Sequence, residues 1–166
     1  MRFYIIDAFA DQLFGGNPAG VVILPEGSSF PSAETMVKAA AEFRYSETAF
    51  ILNKSDGKFN IRYFTPTDEV DLCGHATIAS FCALLDAGLV EDNNSYCIET
   101  LAGDLNVKLE NGFVMMDMAT PESLGKIEDE DELKELYEVM GLILDESTLL
   151  PEKISTGLPD IILPVA

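Results

Sequence analysis

Hydrophobic side chains cover every side of one segment of the chain, residues 75 to 87. The glycine at position 88 is a typical helix stop, so this segment is predicted to be a helix that ends there. A helix that is apolar on all sides is buried on all sides. In a chain of this length, we expect a curved sheet to enclose it. The apolar positions are Ala76, Ile78, Ala79, Phe81, Cys82, Ala83, Leu84 and Leu85.

Strand patterns lie on both sides of this predicted helix. Each is a short run of mainly apolar residues, bounded by residues that favour turns. A second helix is predicted after Ser32, because Met36, Ala40 and Phe43 repeat at helical spacing. The pattern therefore predicts an α+β fold, in which a curved, mainly antiparallel sheet wraps around a central buried helix and the second helix lies outside. The predicted strands are residues 2–9, 21–24, 48–53, 59–65, 96–100, 104–109 and 113–118.

The chain is expected to hold one complete domain and a piece of another. Residues 1–119 contain the predicted sheet and both helices. Residues 120–166 contain a linker, an amphipathic helix and a final apolar strand from residue 154 onward. Chain termini are normally polar and loosely packed, so an apolar strand at the end predicts that the chain is cut short. We therefore expect residues 120–166 to be the truncated beginning of a second, incomplete domain.

The chain is strongly acidic, with 29 Asp and Glu residues against 10 Lys and Arg residues and a formal net charge of −19. This balance argues against binding to nucleic acid or to an anionic membrane surface, because both are bound through clustered basic residues. No apolar run approaches the roughly 18 residues of a membrane span, and no signal peptide is visible before the first strand. A cytoplasmic protein is the prediction.

Cysteine and histidine are too few for a metal centre. The three cysteines include no CxxC pair, and the one histidine cannot supply a multi-histidine site. We therefore expect no metal and no disulfide framework, which agrees with a reducing compartment.

The start of the central helix is the first candidate for chemistry. The first N–H groups of a helix have no partner within it, and Gly74 lets a ligand approach them closely. A carboxylate or enolate oxygen would be held well there. His75 adds a hydrogen-bond donor or a proton carrier. The alternative is structural: a glycine turn before a core helix, with His75 bonded to a backbone carbonyl.

Glu47 is the candidate acid/base. It opens an otherwise apolar strand and is expected to be partly desolvated, which suits a group that moves protons. The alternative is a surface glutamate at a strand start. Cys73 precedes the helix start, where a thiolate is favoured, but residues two apart there seldom face each other. A core-facing cysteine is therefore preferred over a pair with His75. Asp71 is close enough in sequence to orient His75.

Four runs of residues, in this order and at matching spacing, resemble the phenazine-biosynthesis PhzF-like family. Together they cover roughly the first half of the chain. They are Asp7-Ala8-Phe9 with Gly16-Asn17-Pro18-Ala19, then Ser46-Glu47-Thr48-Ala49-Phe50, Arg62-Tyr63-Phe64-Thr65-Pro66 and Glu69-Val70-Asp71-Leu72-Cys73-Gly74-His75-Ala76-Thr77.

The resemblance implies a fold of the diaminopimelate-epimerase-like type, with two similar domains and the active site in the cleft between them. It also implies a cofactor-independent isomerisation that moves a proton on a small cyclic carboxylate, a dihydro-hydroxyanthranilate in the family's named reaction. In this chain it assigns the acid/base role to Glu47, substrate binding to Gly74 and His75, and a cleft-lining position to Asn17.

Part of the family's pattern has no counterpart here. The family's second half supplies an aspartate and another glycine-rich helix start that face Gly74 and His75, and residues after 120 show no such pattern. The alternative function is therefore a non-catalytic fragment or a domain that binds small carboxylates or a protein partner. A third is a hydrolase or epimerase based on Cys73, which sits where related epimerases keep a catalytic thiol. An incomplete domain would expose apolar surface, so a homodimer is one expected state.

Overall fold

The structure is a computed structural model that describes residues 1–12, 14–55, 57–144, 149–157 and 159–165, and the side chain of Ser55 lies outside this description. The chain divides into two compact units, Met1–Asp117 and Met118–Ala166. Among the described residues, no helix is both long and apolar enough to cross a bilayer. That the second unit is the truncated beginning of a second domain stays a prediction.

The first unit is built on one sheet, which has eight strands in the described part of the chain. They are β1 Arg2–Ala8, β2 Asn17–Ile23, β3 Thr48–Ser55, β4 Lys58–Phe64, β5 Glu69–Val70, β6 Ser95–Thr100, β7 Gly103–Glu110 and β8 Phe113–Met116. The order is β1-β2-β3-β4-β6-β7-β8, with β5 beside β4. β2 pairs with β3 and β4 with β6 in parallel, and the other pairs are antiparallel. The prediction of a mainly antiparallel sheet is confirmed.

The predicted central helix is α2, Gly74–Asp86. Strands from both edges of the sheet contact it, so the sheet curves around it. Phe81 and Leu84 are fully buried in the main core, and the Phe81 ring meets the Phe59 ring edge-on with centroids 5.9 Å apart. The α+β architecture with a sheet wrapped around a central helix is therefore confirmed.

One stripe of α2 is not fully buried, which differs from the expectation. Ile78 and Cys82 are half-buried and Leu85 is 36% exposed. The sheet ends at β1 and β8, which do not pair with each other in the described residues. A groove of about 620 Å³, lined by Ile78, Cys82, Phe9 and Phe113, therefore stays open along this stripe.

The second predicted helix is α1, Ala33–Phe43, and Ser32 caps it as expected. Met36 and Ala40 are fully buried in a separate apolar cluster with strand side chains. Because alternate residues of a strand point to opposite faces, this cluster lies on the other face of the sheet from α2. The helix ends at Phe43, and its C-cap Arg44, with a φ of 62°, turns the chain toward β3.

Strand β2 begins at Asn17, four residues before the predicted start at residue 21. Pro18 lies opposite Asp7 of β1, and pairing with β3 begins only at Gly20. Pro18 therefore does not pair with β3, and its missing N–H costs no hydrogen bond to that strand. Proline is tolerated at such a position of a strand. The predicted start of this strand was too late because turn-type composition does not report which ladder bonds a position must make.

The second unit contains a small sheet, order β11-β10-β9 in its described residues, and one helix. The helix is α3, Glu130–Val139, which is the predicted amphipathic helix and begins after the N-cap Asp129. The expected linker is partly strand, and the expected final strand is two strands. Leu158 and Ala166 lie outside the described residues. The strands are β9 Glu122–Lys126, β10 Glu152–Ser155 and β11 Pro159–Ile162.

Candidate active site

The starts of β2, β3 and α2 meet at one end of the first unit. β2 and β3 run in parallel, so Asn17, which begins β2, and Glu47, which directly precedes β3, lie at the same end. The N–H of Gly20 donates to the carbonyl of Glu47 at 3.1 Å and so fixes Glu47 beside β2. α2 contacts both strands and brings His75 to the Glu47 side chain.

Two of the predicted site residues, Glu47 and His75, contact each other. Oε2 of Glu47 lies 3.3 Å from Nε2 of His75. The two side chains are 22% and 11% exposed, respectively. Partial burial removes much of the competing water, so the carboxylate and the imidazole interact more strongly than a surface pair would. The arrangement offers a proton acceptor and a hydrogen-bond donor at an accessible place.

Cys73 contacts His75, which contradicts the expectation that residues two apart at a helix start do not face each other. Sγ of Cys73 lies 3.3 Å from Nδ1 of His75. Cys73 is the N-cap of α2 and has an extended backbone, with φ −141° and ψ 115°. An N-cap residue is outside the helical spiral, and its side chain folds over the first turn. The rule for residues within a helix therefore does not apply to it.

The thiol of Cys73 is also less acidic than its position suggested. Burial raises its pKa to about 11, and the negative charge of Glu47 acts in the same direction. A helix start favours a thiolate, but the low polarity around a half-buried sulfur outweighs that effect here. Cys73 is therefore a neutral thiol near neutral pH.

Ser46 is a site residue that sequence reasoning missed. Its Oγ lies 3.5 Å from Nε2 of His75, at the outer limit of a hydrogen bond. Neighbouring residues of a regular strand point to opposite sides, so Ser46 and Glu47 could not both reach one imidazole from within a strand. The chain bends at Ser46 before β3 begins, so both side chains reach it.

The N–H of Gly74 keeps its capacity to bind an anion, whereas the N–H groups of His75 and Ala76 face the Cys73 sulfur. No side chain caps the start of the helix, and Gly74 is exposed. A Cβ atom built on Gly74 would meet nothing nearer than Cε of Met116, at 4.0 Å. The space above the helix start is thus open, and the positive end of the helix dipole faces it.

A buried hydrogen-bond chain supports the loop from behind. Oγ1 of Thr77 donates to the carbonyl of Cys73 at 2.8 Å. The hydroxyl of Tyr63 lies 2.6 Å from the same Oγ1 and, since the Thr77 proton is used, it is the donor in this bond. Burial raises the pKa of Tyr63 above its ordinary value, so it stays protonated. These residues fix the backbone that carries Cys73.

Asn17 and Asp71 are not among the side chains that contact His75 in the described structure. Both are exposed in the described structure. Asn17 pairs through its backbone with Ala8, and the carbonyl of Asp71 accepts from the N–H of Ala102 at 3.3 Å. The side-chain contacts of His75 come instead from Ser46, Glu47 and Cys73. The expected roles of Asn17 and Asp71 stay predictions.

The cluster also offers three metal-ligand atoms, although the sequence predicted no metal. The ligand atoms of Glu47, Cys73 and His75 lie within 4.8 Å of one another. However, Glu47 contacts Nε2 and Cys73 contacts Nδ1, which are different nitrogens of the ring. An ion bound to one nitrogen would replace only one of the two contacts, and the helix dipole opposes a cation. The geometry fits a hydrogen-bonded relay better than a metal centre.

Two solved structures share this fold over most of the chain. A PhzF-family phenazine biosynthesis protein of Bacillus anthracis is 35% identical and superposes with a TM-score of 0.80, over all of this chain and 57% of that one. A protein of Pseudomonas aeruginosa described as an epimerase by prediction is 25% identical with a TM-score of 0.77, over 95% of this chain and 57% of that one.

The sequence comparisons agree. An uncharacterized isomerase of Bacillus subtilis, YfhB, is 38% identical over 120 residues, which are 70% of this chain and 40% of the relative. The chain thus spans less than half the length of this curated relative. The family model described as phenazine biosynthesis-like protein, PhzC-PhzF, matches residues 6–166. The expected family is therefore confirmed, and this chain belongs to the phenazine biosynthesis-like protein family.

Proposed function

We propose that this chain carries one wall of the active site of a cofactor-independent isomerase, which moves a proton on a small cyclic carboxylate. The observation that carries the proposal is the contact between Glu47 and His75, at 3.3 Å, beside the uncapped start of α2. It joins a group able to take and return a proton with groups able to stabilise the negative charge that proton removal creates.

Glu47 is the proposed acid/base. It is 22% exposed, so a substrate can reach it, and it is held by its own carbonyl and by His75. A carboxylate that removes a proton from carbon and returns it to another carbon of the same ring completes an isomerisation with no change in oxidation state. The protein needs no electron carrier for such a step.

The start of α2 is the proposed site for the substrate's carboxylate. The chain carries a net charge of −19, which repels anions at long range. Local donors must therefore overcome this field, and the open N–H group of Gly74 together with His75 is of that kind. Asn17, at the same end of the sheet, is proposed to line the cleft, with Asp71 and Cys73 in secondary roles. The reaction would take place in the cytoplasm.

A second candidate is a domain that binds small carboxylates without turnover. One observation favours it: the side chains that contact His75 in the described residues, Ser46, Glu47 and Cys73, belong to the first unit, while the family relatives are longer than this chain. A complete anion site can thus exist without a complete catalytic cleft.

The acid/base role is tested by exchange of solvent deuterium into anthranilate-like cyclic carboxylates. We expect Glu47→Gln to lower the exchange rate by about 10²–10⁴-fold, while the exposed control Glu42→Gln on α1 leaves it unchanged. An equal rate in Glu47→Gln and the control would refute the assignment. If neither Glu47→Gln nor the control exchanges deuterium into the ligand, but millimolar ligand still shifts the NMR signals of Gly74 and His75, binding without turnover is favoured. No shift at all would argue against both.

A further inference from the structure

His75 is held at both ring nitrogens by groups of this chain. Nε2 lies 3.3 Å from the carboxylate of Glu47, and Nδ1 lies 3.3 Å from the sulfur of Cys73. An ionised carboxylate only accepts hydrogen bonds, and a neutral imidazole carries one N–H. The contact with Glu47 is therefore favourable when the proton is on Nε2. That tautomer leaves a lone pair on Nδ1, facing the thiol.

Two protonation states of Cys73 compete at this position. A neutral thiol can donate its S–H to the Nδ1 lone pair, 3.3 Å away, and the carboxylate of Glu47 is a second acceptor within its reach. A thiolate would need a proton on Nδ1, and hence an imidazolium, at a place where Glu47 is already negative. Half-burial of the sulfur and the charge of Glu47 both oppose a second negative charge. The neutral pair therefore fits the site.

We propose that Cys73 is a positioning residue, which donates its S–H to Nδ1 of His75 and so keeps Nε2–H directed at Glu47. The catalytic meaning of this contact rests on the proposed function, in which His75 polarises the substrate beside Glu47. The contact itself does not depend on that function. In this role the thiol neither attacks the substrate nor carries its proton.

The backbone of Cys73 is built for such a role. Its carbonyl is held by Thr77, and Thr77 by the fully buried Tyr63. A residue fixed from behind in this way presents its side chain in one direction. Since the sulfur is at the helix N-cap, it reaches the ring nitrogen that Glu47 does not contact.

The composition of the chain makes a direct spectroscopic test practicable. The chain has one histidine, so ¹⁵N-histidine labelling gives the signals of a single imidazole. It has three cysteines, and Cys82 on the same helix is a matched control, since it is also half-buried and its pKa is also raised by burial. The S–H stretching bands of Cys73 and Cys82 are assigned by infrared difference against Cys73→Ala and Cys82→Ala.

We expect the Cys73 band at lower frequency and higher intensity than the Cys82 band, because a donated S–H bond is weakened. In the ¹⁵N spectrum at a pH where the ring is neutral, Nε2 is expected to carry the proton and Nδ1 to be unprotonated. Cys73→Ala should move the Nδ1 resonance farther downfield, and Cys73→Ser, which keeps a donor, should largely prevent that move. A missing Cys73 band at neutral pH, a protonated Nδ1, or equal spectra of the Ser and Ala variants would overturn the proposal.

These measurements separate the inference from the proposed function. Glu47→Gln is expected to keep the shifted S–H band, because the donor and Nδ1 are both still present. If Glu47→Gln does not lower deuterium exchange, the acid/base role fails while the band still decides the role of Cys73. If exchange falls as expected but the band is unshifted, the positioning role fails alone.

Discussion

At the scale of single residues, Thr77 joins the buried core to the candidate site. Its hydroxyl donates to the Cys73 carbonyl and accepts from Tyr63. We expect Thr77→Val to lower the free energy of unfolding by about 1–3 kcal/mol, because it leaves the buried Tyr63 hydroxyl without its partner, while the Cys73 carbonyl keeps the backbone N–H of position 77. Tyr63→Phe removes one donor and leaves a hydroxyl that still has an acceptor, so about 0.5–1.5 kcal/mol is expected. Urea unfolding measures both, and a larger loss for Tyr63→Phe would contradict this order.

The raised pKa of Cys73 predicts slow alkylation. At pH 8, iodoacetamide should modify Cys73 about a hundredfold more slowly in the folded protein than in the urea-unfolded chain, because raising the pKa from 9.0 to about 11 lowers the thiolate fraction by that factor. Mass spectrometry of the digested protein measures each cysteine separately. Fast modification of Cys73 at pH 8 would contradict a neutral thiol.

The same pKa has a consequence for stability. A raised pKa means that the folded state keeps its proton to a higher pH than the unfolded state, so this thiol stabilises the fold below about pH 9.0 and loses that contribution as pH rises toward about 11. The loss of stability between these pH values should be smaller in Cys73→Ser, which has no thiol to titrate.

The sequence identified several polar residues of the site, but it did not predict the contacts between them. Glu47 and His75 were candidates from the sequence, but their 3.3 Å contact depends on the register of β2, β3 and α2. Such long-range register is not encoded in any local pattern. The Cys73 contact was missed because its N-cap backbone leaves the helical spiral. Ser46 was missed because a local bend, and no periodicity, aims it at the imidazole.

At the scale of elements, the parallel pairing of β2 and β3 depends on a position without a side chain. Gly20 lies opposite Thr48, and a Cβ atom at Gly20 would come within 2.9 Å of Oγ1 and 3.2 Å of Cγ2 of Thr48. Thr48 is fully buried and Oγ1 has no hydrogen-bond partner in the described structure. The two strands therefore fit together only because Gly20 leaves room for Thr48.

We expect Gly20→Ala to lower the free energy of unfolding by about 1–3 kcal/mol, through overpacking between the two strands. Thr48→Ala removes both close atoms and leaves Cβ at 3.5 Å, so the double variant should recover much of that loss. Gly74→Ala is the matched control, since its Cβ meets open space and the change should cost less than about 0.5 kcal/mol. Additive losses in the double-mutant cycle would contradict the steric explanation.

The helices and strands were largely predictable from the sequence. The errors at β2 and α2 both arise because local composition does not report which strands lie beside a segment. Period and composition identified α1, α2 and most strands of the first unit, because each has one strongly apolar face. They placed the start of β2 too late, since its turn-type residues lie beside one neighbour rather than two. They overstated the burial of α2, because an apolar side chain does not report whether a sheet closes over it.

At the scale of the whole molecule, two opposed forces act between copies of the chain. The net charge of −19 makes them repel. Exposed apolar side chains favour contact, and several are large, including Phe14 at 93% and Ile143 at 92% exposure. A homodimer stays a prediction, and the balance of these forces says under which conditions it should form.

Salt screens the repulsion between the acidic chains but barely weakens the contact between apolar side chains. The screening length falls from about 30 Å at 0.01 M salt to about 3 Å at 1 M, so the repulsion between acidic surfaces is lost while apolar contact is retained. We therefore expect sedimentation velocity to show monomers at low salt and an increasing dimer fraction at high salt. The opposite trend would mean that ion pairs hold the dimer, and ten basic residues against 29 acidic ones make that arrangement unfavourable. A monomer at both salt concentrations would show that the exposed apolar side chains are too scattered to form an interface, and the prediction of a homodimer would then be wrong.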